Sequence, residues 1–246
     1  MIADVSGNNE NVTKRGLWIA ALACAAPLAT TASAAPGPAK QVPPSVATYL
    51  LGAKMIRGEI VIKRALGEPD YRLDRGKLAK RYTAGSLTLL ERDGTKTSIT
   101  VAPTAKVLVN GLPSTLRRLR PGMQIAVWHI AGQPANNVLA GRVAPKWPKS
   151  LAATLLGPQL VRAEIALQDT ALHDYWLDHG RIKQAGVSTL TLREPNGTDE
   201  TIDISPTARV KLNGQNASFL QLHKGMTATT IHDGDKPADQ VYASGR

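Results

Sequence analysis

The chain has 246 residues, with 30 Lys and Arg against 19 Asp and Glu, for a net charge of +11. Its one cysteine is Cys24, and a single Phe among few aromatics calls for aliphatic cores of Leu, Ile and Val. If residues 1–34 are removed as a leader, no thiol remains, which excludes disulfides, thiolate catalysis and cysteine-type zinc sites from the mature chain.

Residues 1–34 read as an export signal. Lys14 and Arg15 form the positive region, 17–28 the apolar stretch, and Ala32-Ser33-Ala34 the small-residue cleavage site. Cleavage after Ala34 places the protein in the periplasm or outside the cell. The competing reading is a lipoprotein signal, with Ala21-Leu22-Ala23-Cys24 as lipobox and Cys24 as the acylated, anchored terminus. The apolar stretch is too short for a permanent span, and no later run approaches ~18 apolar residues. No transmembrane helix is expected in the mature chain.

Residues 35–44, rich in Pro and Ala, read as a linker. Beyond them one paragraph of sequence is written twice. At a constant offset, Leu87-Thr88-Leu89, Gly94-Thr95, Pro103-Thr104-Ala105, Asn110-Gly111 and Gly122-Met123 return as Leu190-Thr191-Leu192, Gly197-Thr198, Pro206-Thr207-Ala208, Asn213-Gly214 and Gly225-Met226. The first repeat spans 45–142 and the second 150–246. Val143 to Lys149 form a proline-stiffened junction in which Trp147 is placed to pack between the two.

Inside each repeat the pattern is β. Segments 59–65 and 71–78 read as strands, with Gly67-Glu68-Pro69-Asp70 as their turn. Leu87 and Leu89, then Ile99 and Val101, alternate with polar neighbours. Asp93-Gly94 and Asn196-Gly197 are hairpin signals, and Asn110-Gly111 and Asn213-Gly214 close a further strand. The only helical piece expected is one short turn per repeat, at 114–119 and 217–222. The list predicts an all-β protein of two tandem small curled-sheet or partly open β-barrel repeats, OB-like or SH3-like, each with one short helical turn.

The order strand, Asp-Gly, strand, Pro103-Thr104-Ala105-Lys106-Val107-Leu108-Val109-Asn110-Gly111, then Leu116, Leu119 and Gly122-Met123, resembles small β-barrel domains of uncharacterised secreted bacterial proteins, often found in tandem. The resemblance covers most of both repeats and implies export and a barrel. It supplies no catalytic residue.

Asp70-Tyr71-Arg72-Leu73-Asp74-Arg75-Gly76 recurs as Asp174-Tyr175-Trp176-Leu177-Asp178-His179-Gly180. On a strand the paired carboxylates lie about 13 Å apart, beyond the roughly 5–9.5 Å of glycosidase pairs. The motif therefore reads as structural, with Tyr71 and Leu73 inward and Asp74 bonding the backbone of a turn that Gly76 opens. His129 and His232 are equivalent strand-edge residues, and the acids around His232 lack calcium-loop spacing. No nucleophile elbow, zinc-helix, Walker or dinucleotide motif occurs. No catalytic residue, metal ligand or cofactor is assigned.

Charge separates the repeats. Residues 43–142 hold sixteen Lys/Arg against six Asp/Glu; residues 148–246 hold ten against eleven. Lys63, Arg64, Lys80, Arg81, Arg117, Arg118 and Arg120 fall where the second repeat is neutral or acidic, so folding does not require them. A surface of one sign attracts polyanions. The reading favoured is a non-enzymatic, exported cell-envelope module whose first repeat binds an anionic polymer or lipid headgroups. Tyr82, among the cations, and Trp176, on the face of Asp174 and Asp178, are candidate aromatic contacts, although Trp176 is expected to pack on the neighbouring repeat. Sequence-specific nucleic acid is disfavoured for want of stacking aromatics. The alternatives are an envelope scaffold holding a protein partner through sheet edges and the Trp147 junction, and a hydrolase or accessory enzyme with a site at Asp174, Trp176 and His179.

Overall fold

The structure, a computed structural model, describes residues 42–245; the segment read as an export signal, Cys24 and most of the expected linker lie outside the described residues. Helix α1 (Pro44–Leu50) leads into β1 (Met55–Ile62), β2 (Asp70–Leu78), β3 (Ser86–Leu90), β4 (Lys96–Val109) and β5 (Leu112–Ser114). A 3-10 turn at Leu116–Arg118 precedes β6 (Gln124–Ile130) and β7 (Ala135–Gly141). The same order follows with α2 (Lys149–Leu155), β8 (Leu160–Gln168), β9 (Leu172–Ala185), β10 (Thr189–Arg193), β11 (Asp199–Leu212) and β12 (Gln215–Ala217). It ends with a 3-10 turn at Phe219–Gln221, β13 (Thr227–Asp233) and β14 (Ala238–Ser244). No described helix is long and apolar enough to cross a membrane.

The hairpin signals act as their residue types dictate. The Asp93 and Asn196 side chains each accept the amide two residues on, at 2.9 Å, which fixes the turn that Gly94 and Gly197 complete in the left-handed region. Asn110 and Gly111 take φ of 52° and 82°, the consecutive positive values of a tight hairpin turn.

Strand β2 pairs with β3, β3 with β4, β4 with β7 in parallel, β7 with β6, and β6 returns to β2. That closes a five-stranded barrel. Strands β9, β10, β11, β14 and β13 form the corresponding ring. The single parallel pair makes each ring the OB-like of the two closures expected.

Strands β1 and β8 stand outside the rings and pair with each other, joining everything into one 14-stranded sheet. Their register is symmetric: Gly58 faces Ile165, Ile60 faces Ala163, and Glu59 faces Glu164. Aligning Arg57-Gly58-Glu59-Ile60 with Arg162-Ala163-Glu164-Ile165 makes the first two pairs mirror images of each other and the Glu59–Glu164 pair its own mirror. A local pseudo-twofold axis therefore runs through Glu59 and Glu164, as at the interface of a symmetric dimer.

Three apolar cores result. Each ring has its own, one around Leu87, Leu89, Ile99 and Val127, the other around Ile182, Leu190, Leu192 and Val241. The third spans the seam and takes Leu50, Ile60, Leu73, Trp147, Leu155, Ile165, Leu177 and Ile231 from both halves. Trp147 packs between the halves, 6.1 Å from the Trp128 ring and nearly perpendicular to it.

Two expectations need correction. The helices α1 and α2 fall where linker, junction and repeat starts were expected, so the 3-10 turns are not the only helical pieces. Each helix has seven residues and no side-chain cap. Their only cues are a flanking proline and a leucine that ends in the seam core. Gly76 opens no turn; it lies inside β2, where a Cβ would meet the Leu90 carbonyl oxygen at 2.7 Å. Gly180 is more crowded still, with the Arg193 oxygen at 2.4 Å. Both copies keep glycine because another strand's backbone passes over it.

Candidate functional site: a cationic barrel end and a seam cavity

The first barrel has one bare cationic end. Leu78 at the end of β2 exchanges backbone hydrogen bonds with Gly122 and Met123, each 2.8 Å. Lys80 and Arg81 therefore emerge beside the 3-10 turn that carries Arg117, Arg118 and Arg120. The turn forms because Leu116 and Leu119 are buried in the barrel core, which leaves the arginines outside. All five cations are exposed. Among the described residues none has a carboxylate within ion-pair distance. No Asp or Glu occurs between Asp93 and Glu164. The Arg120 guanidinium donates to the Arg117 and Leu119 carbonyls, bracing the turn.

Lys63 and Arg64 do not belong to this end. Lys63 pairs with Glu68 at 3.2 Å and Arg64 lies over the Tyr71 ring at 5.5 Å, both at the start of β2. The strand between them and Lys80 is about 30 Å long at ~3.3 Å per residue. The seven cations expected on one face thus divide into a bare cluster of five and a separate pair, of which Lys63 alone has a carboxylate partner. Tyr82 packs on the barrel core, which removes it as a free stacking platform.

The repeated acidic motif forms two equivalent ion pairs. His129 Nε2 lies 3.7 Å from Asp74, and His232 Nε2 lies 3.3 Å from Asp178. The other ring nitrogens meet the carbonyls of Ile130 and Gly234 at 3.1 and 2.7 Å. Asp74 therefore faces a histidine rather than a turn backbone. The neighbouring Asp74 carboxylate raises the His129 pKa. Burial opposes charge on His232, but Asp178 and the Gly234 carbonyl outweigh it and raise that pKa as well. Both nitrogens of His232 are thus engaged, whereas His129 is bonded through Nδ1 alone. No group of metal-ligating side chains occurs among the described residues.

Asp174, Trp176 and His179 do not converge. His179 lies on the opposite face of β9, buried against Thr229 Oγ1 at 2.8 Å, and burial pushes its pKa down to about 4. Trp176 is half-exposed, donates to Asp174 at 3.1 Å and meets the His232 ring edge-on. It packs within its own half, not against the neighbour. Tyr71 and Tyr175 line the margin of the seam core.

Two buried groups escaped sequence reasoning. Glu91, only 3% exposed, accepts from Arg57 at 2.7 Å and from Thr97. Its equivalent Glu194 is equally buried with one oxygen unpartnered, and burial raises its pKa. Their cue is an acid kept in both copies two residues after a strand leucine, Leu89 and Leu192.

Arg75 is the more unusual group. It is 5% exposed and carries no acidic partner; its Nη1 and Nη2 donate to the carbonyls of Gly52 and Pro145, and its guanidinium lies 5.0 Å over Trp147. It lines a cavity of about 720 Å³ between α1, α2 and the junction. In the repeated heptad it is the position that changes from Arg to His, a cue available in the sequence.

No protein-family model matches the chain, and no curated protein or solved structure is significantly similar to it. The resemblance to secreted tandem-barrel proteins rests on the turn and packing residues quoted above.

Proposed function

We propose that the protein is an exported, non-enzymatic envelope module that binds an anionic surface through the end of its first barrel. The carrying observation is the gathering of five exposed cations, Lys80, Arg81, Arg117, Arg118 and Arg120, at one barrel end, none with a carboxylate within ion-pair distance among the described residues. Equivalent positions of the second barrel are Gln184, Ala185, Leu220, Gln221 and His223, so the second barrel keeps the same strand order without cations there. Each cation near an anionic leaflet contributes about 1 kcal/mol, and clustering on one rigid end lets several act together.

The scaffold reading relied on sheet edges and on the Trp147 junction. The main strands close into rings, β1 and β8 are paired on both sides, and Trp147 is buried. Those features are used inside the molecule.

The test is co-sedimentation of the full chain with vesicles of phosphatidylglycerol and phosphatidylcholine, or of phosphatidylcholine alone, across a salt series. Binding only to the anionic vesicles, falling steeply with salt, is expected. Reversing Arg117, Arg118 and Arg120 to Glu weakens it about a hundredfold or more, while Lys63→Ala leaves it within about twofold. Salt-insensitive binding, or no effect of the triple reversal, would refute the reading.

A further inference from the structure

The cavity at the seam carries an inference independent of the cationic end. Arg75 stays charged at neutral pH, since burial lowers its pKa only to about 10. A buried charge with no counter-ion is unfavourable by several kcal/mol. The two carbonyls and the Trp147 ring solvate the guanidinium without neutralising it. Its Nε and the Trp147 Nε1 are both buried with no acceptor among the described residues. Those two donors are closed off from the cavity; what the cavity meets is the uncompensated charge of the guanidinium, since Arg75 lines its wall.

The rest of the wall fits a particular chemistry. Ala47, Leu51, Ala152 and Leu156 give it apolar sides, Lys146 and Lys149 are exposed beside it, and no acidic residue lines it. Its volume is that of a small-molecule site, and an apolar site with few convergent polar groups is the usual form of one.

We propose that this cavity binds a small amphiphilic monoanion, an alkyl carboxylate or alkyl phosphate. The anionic head sits against the Arg75 guanidinium beside Lys146 and Lys149, and the alkyl body lies along α1 and α2. A carboxylate or phosphate supplies the missing counter-charge. The second half has no counterpart: His179 is neutral and already bonded to Thr229.

The test is calorimetric and thermal-shift titration of the full chain with sodium decanoate, decyl phosphate and the uncharged decanol. Saturable binding that raises the melting temperature is expected for at least one anion, and preference between the two identifies the head group. Decanol should bind at least about tenfold more weakly, the loss of one charge-assisted contact. Arg75→Gln abolishes the preference for the anion over decanol. Should that variant fail to fold, Ala153→Trp, on an exposed position of α2 in the cavity wall, leaves Arg75 intact and blocks binding. The triple glutamate variant at Arg117, Arg118 and Arg120 retains it, which separates this site from the barrel end. Equal affinity for decanol, undiminished binding by Ala153→Trp, or no saturable binding of either anion would overturn the proposal.

Discussion

Three histidines, His179 buried and His129 and His232 half-buried, give stability a pH dependence with two arms. His129 and His232 hold their protons more tightly folded than unfolded. Their contribution is full below the unfolded value near 6.5 and is lost as pH rises through the folded pKa. His179 has the opposite sign. Its folded pKa of about 4 means that the unfolded chain binds the proton first. Stability is lost as pH falls from about 6.5 towards 4, by up to about 3 kcal/mol. Melting temperature against pH should therefore peak near neutrality. Substituting His179→Gln flattens the acid arm, whereas Asp74→Asn with Asp178→Asn flattens the other; unchanged arms would show that these groups do not set them. Gly180→Ala forces a Cβ against the Arg193 carbonyl and should cost about 1–3 kcal/mol, read as a lower urea midpoint. Sequence comparison marked Gly76 and Gly180 as required, but the reason, another strand's backbone crossing above, is a tertiary contact that no local pattern encodes.

At the scale of elements, strands with strong turn chemistry were legible and short helices were not. Asp93-Gly94, Asn110-Gly111 and their copies name their turns by residue type alone. Seven-residue helices without caps have too few turns for periodicity to register, and they persist because Leu50 and Leu155 are buried in the seam core. The seam itself was hidden for a different reason. The alternation in β1 says that one face is buried but not against which strand. The cationic end was half legible. Charge comparison found every residue, but only the pairing of Leu78 with Gly122 and Met123 shows which cations meet, and only the length of β2 shows that Lys63 and Arg64 do not join them. Ile165 is fully buried on β8, so Ile165→Ala should cost about 2–5 kcal/mol. Hydrogen exchange should then accelerate in β3 as well as β10, because the seam core draws on both halves. Loss of protection in β10 alone would mean that the halves open separately.

For the whole molecule, the continuous sheet and the shared core predict one cooperative unfolding transition, with far-ultraviolet dichroism and tryptophan fluorescence coinciding in urea. Two resolved transitions would mean that the seam is weaker than either ring. The sequence predicts two repeats held close by a proline-stiffened junction, with Trp147 packed between them. The structure welds them edge to edge, and the bridge is built from the segments that resembled ordinary hairpin strands.

The mirror register across β1 and β8 has an evolutionary consequence. Each half carries an edge that is its own complement, so an ancestral single-half protein would have associated as identical pairs, every surface feature appearing twice. Joining the pair on one polypeptide releases it from that identity. One side can accumulate arginines and an unneutralised buried guanidinium while its twin drifts to glutamine, leucine and histidine, and neither change has to be tolerated in duplicate. The same self-complementarity means that a half expressed alone would find another copy of itself, so dissecting the protein by truncation would rebuild the ancestor rather than isolate a part.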